Sequence, residues 1–307
     1  MVYKIKRLNL PGYFLTTTKS FDMNLVLRSG TAADANVCGT ICYDAFKNIA
    51  DQHNFPADFP HADAAIGLMN FLFSNPQIYS VIAEADGQVV GSNFLWEDHP
   101  IAAIGPITVN PAVQNDAIGR KLMEQLLKRA TEKKFAGVRL VQSAYHSRSL
   151  SLYTKLGFDA REPLSAIQGK PLNIQIPGYP VRPATAADTR ACDQLCYAVH
   201  GLTRSAELTA AIKSGTAAVV EHQGEISGYT TGIGFFGHSV ATGNDSLQAL
   251  IGAAATFNGP GFLLPTRNAK LLRWCLYNGL RIIQPMTLMS MGLYNEPSGS
   301  FLASVLY

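Results

Sequence analysis

Residues 28–43 read RSGTAADANVCGTICY, and residues 182–197 read RPATAADTRACDQLCY. Arg, Thr, Ala, Ala, Asp, Cys, Cys and Tyr coincide at a constant offset of 154 residues. Each stretch reads as a strand end, a Thr N-cap, and a helix with Asp in its first turn. The repeat continues downstream. AEADGQVVG (83–91) matches VEHQGEISG (220–228) at an offset of 137, and both read as hairpins around a glycine turn. HSRSLSLYTKLGF (146–158) lies over NAKLLRWCLYNGL (268–280) at an offset of 122. Both read as short helices closed by Gly157 and Gly279. The order in each half is strand, helix, hairpin, further strands and helix, an α/β unit duplicated in tandem. The boundaries are a tail at 1–22, an N-terminal copy at 23–170 and a C-terminal copy at 180–307.

The falling offset shows that the copies are not equivalent. The second is shorter by 17 residues before its hairpin and by 15 more before its final helix. Composition fits two such units. The chain has 307 residues, 47% hydrophobic, enough for two cores. Only 15% are charged and the net charge is +3, so no dense basic surface exists to hold nucleic acid. No apolar run approaches the roughly 18 residues of a membrane helix. Residues 1–22 lack the apolar core of a secretory signal, and the five cysteines are odd in number, which points to reduced thiols in a cytoplasmic protein. The paired Cys-x3-Cys spacing could place two thiols on one helix face toward a metal. With no His/Cys pair following at zinc spacing, it reads as core packing, and no metal is expected.

The segment IGPITVNPAVQNDAIGRKLMEQLLKRATEKK (104–134) falls where the second copy is short. Ile107, Thr108 and Val109 finish a strand, Asn110-Pro111 breaks it, and a helix with one apolar face follows from Lys121. Strand, small-residue turn and helix N-terminus together make an anion site from outward-facing N–H groups and the macrodipole. Gly119 would let a phosphate approach the backbone, and Arg120 adds charge.

Gln114-x-x-Ala117-x-Gly119 resembles the acyl-CoA pyrophosphate loop of the GNAT acetyltransferase superfamily, Gln/Arg-x-x-Gly-x-Gly/Ala. Ser151-Leu152-Tyr153-Thr-Lys-Leu-Gly157-Phe158 resembles that superfamily's later Leu-Tyr-x-x-x-Gly-Phe motif. The resemblance covers residues 23–165 well and 180–307 more faintly, and it identifies the chain as a tandem GNAT protein. It implies two GNAT-like acyl-CoA N-acyltransferase folds, each a mixed central sheet flanked by helices. Two departures stand out: Ala117 replaces the first loop glycine, and His146 replaces the Asn that often opens the later motif. The C-terminal copy has no such loop and carries Trp274 and Cys275 in place of Leu152 and Tyr153, so it reads as degenerate.

The resemblance further implies acetyl-CoA as co-substrate. Pyrophosphate would be held by backbone N–H groups of the loop, Gln114, Asn115, Asp116, Ala117, Ile118, Gly119 and Arg120. The pantetheine arm would lie along Ile107, Thr108 and Val109, with His146 and Ser149 nearby. His146 could instead only cap the strand end. Tyr153 would be the general acid beside the sulfur, since a phenol stays protonated at neutral pH. The base is open: Glu97 is the nearest acid before the loop, and a water relay serves equally. ADQHNFPADFPH (50–61) sets two His, two Phe and Asp58 among prolines; it supplies His53, Phe55 and Phe59 for an acceptor loop, or is a plain helix connection. Asn295 and Glu296 could line a cleft between the copies. The expected function is N-acetyl transfer to a small-molecule amine by a monomer or homodimer. A non-catalytic acyl-CoA sensor is the alternative. An aminoacyl-tRNA donor is disfavoured by the near-neutral charge.

Overall fold

A computed structural model describes residues 24–97, 100–114 and 117–306. In the N-terminal copy the elements run β1 (Leu25–Ser29), α1 (Ala35–His53), α2 (Ala62–Ser74), β2 (Ile78–Ala85), β3 (Gln88–Trp96), β4 (Ile101–Ile104) and β5 (Thr108–Val109). They continue with α3 (Ile118–Glu132), β6 (Gly137–Ser143), α4 (Ser147–Lys155) and β7 (Asp159–Gln168). The C-terminal copy follows the same order with β8 (Val181–Pro183), α5 (Thr189–His200), α6 (Ser205–Lys213), β9 (Ala218–His222), β10 (Glu225–Thr230) and β11 (Ser239–Ala241). It ends with α7 (Asn244–Ala253), β12 (Phe262–Pro265), α8 (Ala269–Tyr277), β13 (Arg281–Gly292) and β14 (Ser300–Leu302). The tail at 1–22 lies outside the described residues.

The residues that coincide in the two copies build the same device twice. Arg28 grips Asp34 through two hydrogen bonds of 2.7 and 2.9 Å, and Arg182 grips Asp188 through two of 2.8 Å. Thr31 and Thr185 each complete a capping box with that aspartate, joining strand end to helix start. Each arginine also reaches the matched glutamate of the hairpin, Glu84 or Glu221. The hairpin turns agree as well. Asp86-Gly87 and Gln223-Gly224 all have positive φ, as a two-residue turn that follows the strand twist requires. The cysteines pack as expected: Cys38, Cys42, Cys192, Cys196 and Cys275 are buried free thiols.

Sheet pairing joins the copies more closely than the repeat reveals. The larger sheet has the order β1-β2-β3-β4-β6-β13-β7-β12, with β5 on β3. Strand β7 does not pair with β6, which precedes it in its own copy. Instead β13 of the second copy pairs antiparallel with β6, and β7 pairs antiparallel with β12. The two exchanged strands, each the one after its copy's final helix, lie side by side, β13 against β7, so they are swapped about a pseudo-two-fold axis. Buried Met289 of β13 joins Leu122, Leu126 and Leu140 in the core of the first copy, and Leu164 of β7 joins the core of the second. About a dozen residues of each copy thereby build the other, and β13 is carried to the edge of the first copy's cleft.

Candidate active site

The cleft begins where the first copy's sheet splits. Strand β4 pairs parallel with β6 only as far as Ala103↔Arg139. After Gly105-Pro106 the chain resumes as β5, which pairs with β3 alone. The parting strands open a cavity of about 630 Å³, lined from β5, α3, β6, α4 and the α1–α2 region, and from the second copy.

At one end of the cavity is the start of α3. Asn110 accepts a hydrogen bond from Ala112 N and opens a single 3-10 turn, Pro111–Val113. Ala117 takes a left-handed conformation (φ 57, ψ 13) and acts as N-cap, so α3 starts at Ile118, three residues before the expected Lys121. That places Gly119 and Arg120 in the first turn, and among the described residues no side chain caps the helix. The first-turn N–H groups have no intrahelical partner, so the turn can receive an anion. The left-handed φ accounts for the glycine usual at Ala117, and alanine tolerates it at a cost of about 1 kcal/mol. A Cβ built on Gly119 would meet Leu152 Cδ2 at 3.7 Å and Val109 Cγ2 at 3.9 Å, ordinary contacts without a clash. Gln114 donates to Val109 O (3.2 Å), and Arg148 of α4 donates to Gln114 O (3.2 Å), adding a cation at the loop that the motifs did not single out. Arg120 leans to Glu124 on its own helix. Ile118 faces the core, so only its backbone is turned to the loop. Asn115 and Asp116 lie outside the described residues.

Further along, Ile107, Thr108, Val109, His146, Ser149 and Tyr153 all line the cavity. Tyr153 is buried, its ring edge-on to Phe158, and burial holds its hydroxyl protonated. His146 is the N-cap residue of α4, and burial together with Arg148 and His53 lowers its pKa, keeping it neutral. Ser149 Oγ donates to His146 O or Gln142 Oε1, both at 2.9 Å. Gln142 Nε2 is buried with no partner among the described residues. An unsatisfied amide facing this cavity, beside an uncapped helix start, fits the amide-bearing arm of an acyl-CoA.

The acceptor side departs from the expectation in three places. Glu97 does not line the cavity. Both its oxygens are held by Arg129 of α3, one at 2.9 Å, and Arg129 lies 4.0 Å over the Tyr79 ring. The Glu97 carboxylate is thus turned to Arg129 and away from the cleft. His53 and Phe55 also stand outside. Phe55 stacks on Tyr145 at 4.1 Å, and His53 packs 5.3 Å from the same ring, so the two buttress Tyr145. Phe59 alone of the three lines the cavity. Among the described residues the acid that does so is Asp58, from the quoted 50–61 stretch. Its Oδ1 accepts from Gln284 Nε2 on exchanged β13 (3.0 Å), and Gln284 Oε1 accepts from Tyr145 (3.3 Å). Burial raises the Asp58 pKa, with the Gln284 bond opposing. Only an acid among prolines hinted at Asp58, and nothing local in the sequence points to Gln284.

The second copy has closed its own cleft. Strand β14 lies in the gap between β11 and β12, paired with β11 (Val240↔Phe301) and linked to β12 through Ala303 N to Leu263 O at 2.9 Å. Beside the start of α7, Asn244 and Asn268 exchange side-chain hydrogen bonds of 3.0 and 2.8 Å, and Ser300 donates to Asn244. Asn295 donates to His200 O and so ties the turn before β14 to α5 rather than lining the cleft. Among the described residues no group of three His, Cys, Asp or Glu is placed to hold a metal ion, and no helix is long and apolar enough to cross a membrane.

The model of the acetyltransferase (GNAT) family matches residues 43–158, which hold β2 to α4 and the cavity's loop. Over that stretch the chain is similar to the GNAT acetyltransferases. Its tandem GNAT fold is shared with a chain from Pyrococcus horikoshii described as a candidate acetyltransferase (18% identity, TM-score 0.72, 99% of each chain covered). A GCN5-related N-acetyltransferase from Sphaerobacter thermophilus is also similar (14% identity, TM-score 0.60, covering 89% of this chain and 96% of that one). So is a tandem GNAT protein from the clavulanic acid biosynthesis pathway (15% identity, TM-score 0.53, covering 87% and 98%). No curated protein sequence matches significantly.

Proposed function

We propose that this protein moves the acetyl group of acetyl-CoA to the amine of a small molecule, in the cavity of its N-terminal copy. One observation carries the reading: Ala117 and Gly119 at the start of α3, Tyr153 and Asp58 all line one cavity. The α3 turn receives pyrophosphate with Arg148 and Arg120 nearby, and Gln142 Nε2 donates to the pantetheine arm or the acetyl carbonyl. The amine nitrogen forms a bond to the acetyl carbon as the carbon–sulfur bond breaks. Tyr153 gives its proton to the departing thiolate, and Asp58 takes the proton the amine loses. The second copy binds no CoA and serves as a wall. Five buried free thiols support a reducing compartment such as the cytoplasm.

The test is Tyr153→Phe, assayed by CoA release from acetyl-CoA with a panel of amines. The expected result is a fall in kcat of about 100-fold or more with acetyl-CoA affinity kept. Unchanged turnover would remove Tyr153 from the chemistry.

A further inference from the structure

The acceptor end of the cavity has a one-sided chemistry. Phe46 and Phe59 of the first copy face Phe236, Met286 and Leu306 of the second across it. Among the described lining residues Asp58 is the one acid; Arg120 and Arg148 sit at the α3 loop, and His146 is held neutral by burial. Asp58 is fixed through Oδ1 by Gln284, and Oδ2 has no side-chain partner among the described residues. Past Phe236 and Leu306 an adjoining chamber reaches Arg204 and Glu207, already paired to each other at 2.7 Å.

Resting on the acetyltransferase reading, we infer that the acceptor is a primary monoamine on an aromatic or bulky aliphatic body. Its nitrogen sits at Asp58 Oδ2 and its body fills the apolar chamber built jointly by both copies. One carboxylate in an apolar wall matches one ammonium, and each loses less by leaving water when it meets the other. A polyamine would bring further ammonium groups against phenylalanine and methionine. An amino acid would bring a carboxylate toward Asp58 with no cation beside it. Burial of the Asp58 carboxyl is relieved by such a guest, which is consistent with the site binding a cation. An apolar body gains from the ring and thioether surfaces around it.

The experiment uses the full chain with acetyl-CoA and 2-phenylethylamine, spermidine or lysine, reading CoA release. Amine binding to the CoA-loaded protein is measured in parallel by calorimetry, for the parent and for Asp58→Asn. The inference expects 2-phenylethylamine to be acetylated with kcat/KM at least tenfold above spermidine and lysine. Its binding should weaken at least tenfold in Asp58→Asn, with acetyl-CoA affinity within twofold of the parent. Preference for spermidine or lysine overturns the acceptor class and leaves the acetyltransferase standing. Binding of 2-phenylethylamine unaffected by Asp58→Asn, or no binding, also overturns it. Failure to bind acetyl-CoA at all overturns the underlying reading instead.

Discussion

Asp58 and Gln284 stand 226 positions apart and meet in a hydrogen bond of 3.0 Å from Gln284 Nε2 to Asp58 Oδ1. The bond exists because β13 leaves its own copy and lies against β6. A duplicated chain that exchanges the strand after each final helix can therefore use one copy to complete the other's cleft. The same exchange explains how the second copy can lose its own cleft without becoming dispensable.

Gln284→Leu keeps the side chain's bulk but removes the donor that orients Asp58 and the acceptor that holds Tyr145. A charge-assisted bond of this kind is worth about 1.5–3 kcal/mol. The expected outcome is a KM for the amine raised about tenfold or more, with KM for acetyl-CoA unchanged. Steady-state kinetics with both substrates varied would check it, and an unchanged amine KM would separate Gln284 from the site.

The acid limb of the rate profile should belong to Asp58. Its carboxylate is the working form, and burial raises its pKa above the ordinary value of about 3.9. As pH falls through the raised value, kcat/KM for the amine falls with it. The limb should therefore lie above the range of a solvated carboxylate and be absent from the residual activity of Asp58→Asn. A pH profile of both proteins decides the point.

Much of the fold was legible because the repeat is made of local devices. Thr31, Asp34 and Arg28 announce a strand-to-helix join, and their counterparts repeat it 154 residues later. Gln114, Ala117 and Gly119 mark the loop because a helix start without a side-chain cap is a short-range feature. The strand exchange was not legible, since an apolar strand such as β13 carries no mark of which copy it pairs with. Asp58 was visible only as an acid among prolines, because its setting depends on Gln284, contributed from the far end of the chain. Glu97 misled because an acid next to the right strand in sequence is turned to Arg129 in space.

The twin Arg–Asp clamps predict twin effects on stability. The arginines hold Asp34 down to about 2 and Asp188 lower still. Their contribution is complete above the unfolded carboxylate value of about 3.9 and is lost as pH falls through the lower folded values. Asp34→Asn and Asp188→Asn should each cost about 1–3 kcal/mol near neutral pH, and less once pH drops toward 2. Denaturant unfolding at pH 7 and pH 3 measures both.

Strand β14 is tested by Phe301→Ala. Phe301 is 5% exposed and packs with Val240 and Leu263 in the second copy's core. Truncation should cost about 3–5 kcal/mol of stability. Acetyl-CoA affinity of the folded protein should not change, because the first copy's loop is untouched. A large loss of affinity at temperatures where the variant is folded would show that the two copies are coupled more tightly than their packing implies.

The central claim is that one copy binds acyl-CoA while the other has filled its cleft with its own chain. Calorimetric titration with acetyl-CoA tests it most directly, on the parent and on Gly119→Glu, which sets a carboxylate at the α3 start where the 3.7 Å clearance allows the fold to persist. One site per chain is expected, with affinity reduced at least about 100-fold in the variant, a size set by a misplaced charge at a helix N-terminus plus the lost phosphate contacts. Two sites, or one site indifferent to Gly119→Glu, would contradict it.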